Sequence, residues 1–264
     1  MEATLALGTF GPEHLPAACA LSRAEGWPHR EADWALILGL SEGLAITSGG
    51  RLLGCGMLTR YGGAGRLSMI LVAPEARGRG LGRRLLAALL DLAGDLPLSL
   101  CATEAGAPLY AKAGFRASGV VEQWQGEVPA AAAAPDPAPG DPAAALALDR
   151  RATGCDRQAL LAALGREGRL LGAPGGYALL RAFGHGHMLG PVVAPDAAAA
   201  LDLVRRGAAL AAGGFLRTDL MAGHVPAAAL TALGLSLRDR GTVMARGDLP
   251  PAEGVFGLAS QGFG

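Results

Sequence analysis

The sequence has one lysine, no net charge and no long apolar run, and these features exclude several classes of protein. Lys112 is the only lysine among 23 basic residues, which balance the acidic residues to a formal net charge of +0. Because such a chain has no electrostatic preference for polyanions, we expect no nucleic-acid partner. No stretch reaches the roughly 18 apolar residues of a membrane helix, and no signal peptide opens the chain. The sequence therefore predicts a cytoplasmic protein with no membrane partner.

Cysteine is also scarce and is not clustered. Cys19, Cys55, Cys101 and Cys155 are scattered, with no C-x-x-C pair and no adjacent histidine. Zinc sites and disulfide frameworks both need such clustering. We therefore expect reduced thiols and no metal.

The chain is long and apolar enough for two ordinary domains, with 264 residues and 51% hydrophobic content. A stretch rich in proline and alanine, residues 128–143, predicts an extended, semi-rigid linker. We therefore expect a first domain over residues 1–127, a second over 144–249 and a tail over 250–264.

Hydrophobic periodicity predicts an α/β fold with a mixed sheet, in the element order β, α, α, β, β, β, α, β, α, β for the first domain. The expected strands are 4–9, 42–47, 52–60, 66–72, 98–102 and 115–126. The expected helices are 12–25, 31–40, one that ends near residue 92, and 105–113. The second domain repeats the later part of this order, with strands at 177–183, 187–193 and 215–220, helices at 196–212 and 226–232, and a strand pair around 236–246.

Residues 67–84 form the motif around which the chain is organised. An apolar run of strand length ends at Pro74, glycines recur at Gly78, Gly80 and Gly82, and a leucine-rich helix follows. Glycines let the backbone approach a ligand closely, and the first turn of a helix has unpaired N–H donors. The order strand, glycine loop and helix therefore predicts a phosphate site.

Two better-known phosphate motifs do not fit this stretch. The glycine spacing is not G-x-G-x-x-G, and no G-x-x-x-x-G-K-[ST] follows. The loop R-x-x-G-x-G after V-x-P, with L-Y-x-x-x-G-F at residues 109–115, resembles instead the GNAT superfamily of N-acetyltransferases. The string A-T-E-A-G-A-P-L-Y at residues 102–110 resembles a bacterial two-domain subgroup of it. The resemblance covers residues 3–127 and implies the GNAT fold.

The resemblance also implies acetyl-CoA as co-substrate and assigns roles to residues. Tyr110 would protonate the departing thiolate. Thr103 stands where the family often has an asparagine that binds the pantetheine arm, and a hydroxyl can make only part of those contacts. The remaining coenzyme residues would lie beside the arm or under the pyrophosphate: Ile70, Leu71, Val72, Arg77, Gly78, Arg79, Gly80, Leu81, Gly82 and Arg83.

The acceptor side is less well defined by the sequence. The paired helices over residues 12–40 would flank it, and a general base is needed because the attacking amine must lose a proton. The candidates for substrate contact or base are Trp27, His29, Glu31, Asp33 and Glu104, and spacing singles out none of them. Packing for the tryptophan and a solvated surface for the carboxylates are equally open interpretations.

The second domain looks like a degenerate copy of the first. Residues 190–195 align with 69–74, but residues 196–202 contain no glycine or arginine where the phosphate loop should follow. Leu230 stands four residues before Gly234, where the first domain has Tyr110 before Gly114. We therefore expect coenzyme binding and chemistry in the first domain alone.

The interpretation that follows is an N-acetyltransferase that moves an acetyl group from acetyl-CoA to a primary amine of a small molecule by direct attack, as a monomer or homodimer. The alternative is a non-catalytic acyl-CoA sensor or interaction module. The assignment of function rests on family analogy, since the fold alone does not determine it.

Overall fold

The computed structural model describes residues 4–132 and 139–264, which contain twelve strands and eight α-helices. The strands are β1 (Leu5–Thr9), β2 (Ser41–Ser48), β3 (Arg51–Arg60), β4 (Gly65–Val72), β5 (Leu98–Ala102), β6 (Arg116–Glu127), β7 (Arg169–Ala173), β8 (Gly176–Phe183), β9 (Gly186–Val193), β10 (Phe215–Met221), β11 (Ser236–Arg246) and β12 (Val255–Gly257). The helices are α1 (Leu15–Ala24), α2 (Glu31–Leu40), α3 (Leu81–Ala93), α4 (Ala107–Lys112), α5 (Pro142–Thr153), α6 (Gln158–Glu167), α7 (Ala197–Leu210) and α8 (Ala227–Ala232).

All twelve strands belong to one sheet, in the order β1-β2-β3-β4-β5-β11-β6-β10-β12-β9-β8-β7. The strands β6 and β11 are exchanged between the halves: β11 lies between β5 and β6, and β6 lies between β11 and β10. Each half therefore completes the sheet of the other. The mixed α/β architecture predicted from periodicity is confirmed, but its two units share a single sheet.

Helices cover both faces of this sheet. The face covered by α1, α2, α5 and α6 is here the front face, and the face covered by α3, α4, α7 and α8 is the back face. Trp34 and Ile37 of α2 share a buried cluster with Leu160 and Leu164 of α6, so the front-face core crosses from one half to the other. The back-face helices α3 and α7 each bury one apolar stripe against their own half.

Most first-half elements lie close to where the sequence predicts them, but several predictions were wrong. The helix expected over 12–25 begins as a 3₁₀ turn, and α1 itself starts at Leu15. The strand pair expected around 236–246 is the single strand β11, because this segment hydrogen-bonds to β5 along one edge and to β6 along the other. The repeat is also longer than expected, since α5, α6 and β7 precede the predicted strands of the second half.

The segment expected to be a tail, residues 250–264, is part of the fold. It forms β12 between β9 and β10 and then crosses the front face, where Phe263 is only 1% exposed. Tyr61 donates a hydrogen bond from its hydroxyl to the Phe263 carbonyl at 2.8 Å. The physical reason is burial, which stabilises by about 1.5 to 3 kcal/mol for each large apolar side chain. Part of the expected linker, residues 133–138, lies outside the described residues.

Candidate active site

The glycine loop between β4 and α3 presents free backbone donors. Gly78 and Gly80 have φ angles of 75° and 78°, and nothing lies within 4 Å of where a Cβ would stand on either. Gly80 is the N-cap of α3 and offers no capping side chain, and the first helical bond runs from the Arg84 N–H to the Gly80 carbonyl at 3.0 Å. The N–H groups of the first helical turn thus lack helical acceptors and can bind an anion.

The arginines of the loop have two kinds of surroundings. Arg77 donates from Nε to the Val72 carbonyl at 3.3 Å and forms an ion pair with Glu25, so its contacts are those of a tether between the loop and the end of α1. Arg79 and Arg83 are exposed, and the described part of the chain places no carboxylate within ion-pair distance of them. These two guanidinium groups are available to a bound anion.

The sheet splits between β4 and β5, directly below the loop. The two strands pair in parallel only at Gly65–Leu98 and Arg66–Ser99 and then separate. A shift in the β3–β4 register accompanies a positive φ of 52° at Met69, which marks a bulge in β4. The edge of β4 that faces the split is therefore available for an extended ligand to add as a strand.

Beyond the bulge, successive side chains of β4 alternate between the two faces, as in any strand. Ile70 packs with the back-face cluster beneath α3 and α4, while Met69 and Leu71 belong to the front-face core. Val72 is partly buried against the cluster around the start of α3. These three sequence-predicted positions, 70 to 72, thus form the β4 wall of the split.

A groove of about 360 Å³ leads along the back face between α3 and α4. Its walls are apolar side chains of the two helices, including Leu86, Leu90 and Leu109, together with the cationic Arg83 and Lys112. An apolar channel that carries positive charge suits a ligand with a thin apolar arm and a phosphorylated end.

Tyr110 lies on α4, and its ring is buried in the back-face cluster. The side chain is 9% exposed and meets Phe115 in an edge-on contact, with ring centroids 6.1 Å apart. Its hydroxyl has no hydrogen-bond partner in the part of the chain that the structure describes. Burial, and secondarily the Cys101 thiol, raises the pKa of Tyr110 to about 12. The phenol is therefore protonated at neutral pH and has a free donor.

Thr103 is exposed and has a local role. Its Oγ1 accepts a hydrogen bond from the Gly106 N–H at 3.2 Å, which closes the turn that leads into α4. This contact orients the helix that holds Tyr110.

One of the predicted acceptor-side residues, His29, meets the second half of the chain and also contacts Trp27. The His29 ring lies 5.9 Å from the Trp27 ring and 5.2 Å, edge-on, from the Phe183 ring of β8. His29 Nδ1 is buried without a hydrogen-bond partner among the described residues. Burial, reinforced by Arg217, lowers the pKa of His29 to about 4, so its imidazole is neutral at physiological pH.

The three predicted carboxylates are not brought together. Asp33 is buried and is held by Arg30, from its backbone N–H at 2.8 Å and from its Nε and Nη2 at 3.0 and 2.9 Å. Burial raises the pKa of Asp33, but the hydrogen bonds from Arg30 outweigh it and leave the pKa below its usual value. Glu31 and Glu104 are exposed on the surface. Asp33 is thus an engaged ionic clamp and not a free base.

Several buried polar groups on the front face were not singled out in the sequence. Arg217 donates to both carboxylate oxygens of Asp219 at 2.9 Å. Arg66 Nε, Ser68 Oγ and Arg181 Nε are buried and lack partners in the described part of the chain. A usable signal was the single arginine in each of the strands β4, β8 and β10, but the burial of these side chains depends on elements distant in the sequence.

In the second half, the positions equivalent to the anion site and to the strand split are both occupied by the chain itself. Asp196 caps α7 by accepting a hydrogen bond from the Ala199 N–H at 2.9 Å, where α3 has the bare Gly80. The strands β9 and β10, which pair in parallel and then diverge, have β12 inserted between them. A carboxylate thus occupies the anion position, and a strand of the same chain occupies the split.

Within the described ranges, no group of three or more histidine, cysteine, aspartate or glutamate side chains is arranged to hold a metal ion. Among the same residues, no helix is long and apolar enough to cross a membrane.

The sequence matches protein families and a curated protein. Two family models, each described as an acetyltransferase (GNAT) domain, match residues 41–117 and 145–255. The uncharacterised N-acetyltransferase YitH of Bacillus subtilis is 32% identical over 116 residues, which are 42% of this chain and 41% of that protein. The chain thus matches less than half the length of this curated relative.

Two solved structures share the fold along nearly the whole chain. A proposed acetyltransferase from Pyrococcus horikoshii superposes with a TM-score of 0.84 at 18% identity, covering 98% of this chain and 96% of the other. A GCN5-related N-acetyltransferase from Sphaerobacter thermophilus gives a TM-score of 0.60 at 16% identity, covering 94% and 97%.

With a matching domain in each half, the chain belongs to the GNAT superfamily of acetyltransferases.

Proposed function

We propose that the protein transfers the acetyl group of acetyl-CoA to a primary amine of a small molecule by direct attack. The observation that carries the proposal is Tyr110, a buried phenol with a free hydroxyl, on the helix that flanks the split beneath the glycine loop. A proton donor in this position can serve a leaving thiolate.

The first half supplies the features that a coenzyme needs. The free N–H groups at the start of α3 and the exposed Arg79 and Arg83 would hold the pyrophosphate. The apolar groove and the open edge of β4 would receive the pantetheine arm as an added strand. Bound in this way, acetyl-CoA supplies a thioester that a neutral amine can attack.

The transfer needs one group that donates a proton to the leaving sulfur and one group that accepts a proton from the amine. The amine nitrogen bonds to the thioester carbonyl carbon, the carbon–sulfur bond breaks, and the sulfur leaves with the electron pair and takes the proton of Tyr110. The proton lost by the amine goes to a base. Among the predicted candidates, His29 has a neutral imidazole whose Nδ1 lacks a partner among the described residues, but the burial that lowers its pKa to about 4 also makes it a weak base.

The way the front face is covered supports the proposal of a small acceptor. The helices α2 and α6 pack together across it, and Phe183 of the second half packs edge-on against His29. A bulky protein acceptor would have to displace these contacts.

The test is release of free CoA, detected with a thiol reagent, from acetyl-CoA and a panel of amines, with acetyl-CoA binding followed by calorimetry. We expect binding and turnover on one class of amine. Binding without turnover on any amine would favour the acyl-CoA sensor instead. Absence of binding would reduce the glycine loop to an ordinary turn.

A further inference from the structure

The turn between α1 and α2, residues 25–30, lies at the front of the split. Its Trp27 packs against the front-face core that includes Met69 and Leu71, the side chains of β4 beside the split. The apolar groove and the buried phenol lie on the opposite, back face. Because the coenzyme would occupy the back face, an amine that attacks directly must approach from the front, past the α1–α2 turn.

The second half holds this turn with the tip of the hairpin formed by β8 and β9. Phe183 meets the His29 ring edge-on, with centroids 5.2 Å apart, and the Arg181 guanidinium lies 5.0 Å from the Phe183 centroid on the same strand. Gly184 approaches Pro28 so closely that a Cβ on it would lie 3.1 Å from both the Cβ and the carbonyl oxygen of Pro28. The hairpin tip therefore has no room to move toward the turn.

Polar contacts fasten the same junction. Arg30 donates from Nη2 to the Ala182 carbonyl at 3.0 Å, and the Gly184 N–H donates to Asp33 Oδ2 at 3.4 Å. Arg181 lies 3.6 Å from Asp33 Oδ1. These charge-assisted contacts join the start of α2 to β8, and breaking one would leave a buried group without its partner.

The α1–α2 turn is thus anchored at both ends. Its first residue, Glu25, forms an ion pair with Arg77 of the glycine loop. Its last residue, Arg30, is held by the second half. The half-buried residues 27–29 lie between these anchors, so their position depends on both the coenzyme loop and the second half.

We infer that the β8–β9 hairpin positions the α1–α2 turn for the acceptor, so that the second half helps to determine which amine the first half accepts. This inference rests on the proposed acetyl transfer and assigns a function to the half whose own split is filled by β12. Gly184 and Arg30 are positioning residues, since they act through the turn. Their substitution should change the KM for the amine and leave the affinity for acetyl-CoA, which would bind on the back face, unchanged.

Two glycines of the second half give a matched pair of variants. Gly184 and Gly175 both lie in hairpin turns, with φ angles of 53° and 69°, so alanine introduces similar backbone strain at each. Only at position 184 does the added Cβ press on Pro28, because the nearest atom at position 175 belongs to the Pro195 side chain at 3.6 Å. With the best acceptor of the amine panel, we expect Gly184→Ala alone to raise the KM about tenfold.

Two arginines give a second pair, which serves even if Gly184→Ala does not fold. Arg30 and Arg206 are 40% and 37% exposed, and each pairs with a nearby aspartate and donates to a main-chain carbonyl. Only Arg30 makes the carbonyl contact across the two halves. Arg30→Gln should raise the KM for the amine and alter the order of kcat/KM across the panel, and Arg206→Gln should change neither.

Steady-state kinetics and calorimetry with acetyl-CoA give the deciding results. An amine KM that is the same in both members of each pair, with wild-type turnover intact, would overturn the inference and leave the acetyltransferase proposal standing. Loss of acetyl-CoA affinity in parallel with the rise in KM would show a general structural role and would also overturn it. A wild-type protein that acetylates no amine would overturn both proposals.

Discussion

Two buried tyrosines of the first half have opposite surroundings. Burial raises the pKa of both Tyr61 and Tyr110 to about 12. The Tyr61 hydroxyl donates to the Phe263 carbonyl at 2.8 Å, whereas the Tyr110 hydroxyl has no partner in the described part of the chain. A phenol with a satisfied hydroxyl holds the fold together, and one with a free hydroxyl is available for chemistry.

This contrast gives a matched pair of variants. Tyr110→Phe keeps the ring contact with Phe115 and removes only the donor, so we expect kcat to fall about 100-fold or more while acetyl-CoA affinity is retained. Tyr61→Phe should instead lower the free energy of unfolding by about 1 kcal/mol and leave kcat unchanged. Steady-state kinetics, calorimetry and denaturant unfolding distinguish the two, and an unchanged kcat in Tyr110→Phe would remove it from the mechanism.

His29 makes the stability of the fold depend on pH. Its imidazole faces Arg217 and Arg181, which hinder protonation, and Asp33 and Asp219, which favour it, and burial is the largest influence. The pKa is about 4 in the folded chain, against about 6.5 when unfolded. Because the unfolded chain binds the proton first, stability is present above the unfolded pKa and is lost as pH falls toward the folded one.

We therefore expect the free energy of unfolding to decrease by about 2 kcal/mol through His29 between about pH 7 and about pH 5. His29→Phe, which suits the neighbouring Trp27 and Phe183 rings, should lack this part of the decrease. Urea unfolding of both proteins over that range measures it. Parallel curves for the two proteins would show that His29 titrates normally in the folded state.

Sequence patterns identify residues whose role depends on neighbours in the sequence. They miss residues whose role depends on contacts with distant parts of the chain. Tyr110 and the glycine loop could be proposed from the sequence because their motifs are contiguous. Arg66 was missed because its burial requires the Gln261 segment, which lies far along the sequence. Asp33 was assigned to the base candidates because its ionic clamp by Arg30, and the Arg181 beside it, cannot be seen in the sequence.

At the scale of elements, the glycine loop can be tested against a turn of similar geometry. Gly80 and Gly50 have φ angles of 78° and 79°, with open space around both. Gly80→Ala and Gly50→Ala should each destabilise the fold by about 1 to 2 kcal/mol. Only Gly80→Ala should also weaken acetyl-CoA binding, by about tenfold, since it crowds the anion site. Equal affinities in titration calorimetry would show that the coenzyme does not approach this loop.

Two of the elements missed from the sequence, α5 and β12, share a physical cause. The helix α5 buries mainly alanines, so it lacks the leucine stripe that marks α3. The strand β12 is only three residues long and gains its hydrogen bonds from β9 and β10. Periodicity detects elements that bury a wide apolar face, and these two are specified by the partners they meet.

At the scale of the whole molecule, the exchange of β6 and β11 makes the two halves interdependent. Residues 116–127 and 236–246 pair with each other along almost their full length, and each also pairs with a strand of the opposite half. A linear sequence shows two similar units but not which strand completes which unit, because the pairing joins residues more than a hundred positions apart.

The differences between the two halves determine how many coenzyme sites the chain has. The second half has the fold of the first, but Asp196 caps its helix and β12 fills its split. The Asp196 carboxylate at the start of α7 and the strand edge closed by β12 both oppose binding of acetyl-CoA. We therefore expect a single site, in the first half.

Calorimetric titration of the full chain with acetyl-CoA tests this account most directly. We expect one equivalent bound per chain, and loss of most of that affinity in Gly80→Ala with Gly50→Ala unaffected. Two equivalents per chain would show that the second half retains a working site. Absence of binding, or an affinity that Gly80→Ala leaves unchanged, would contradict the assignment of the split and its glycine loop as the coenzyme site.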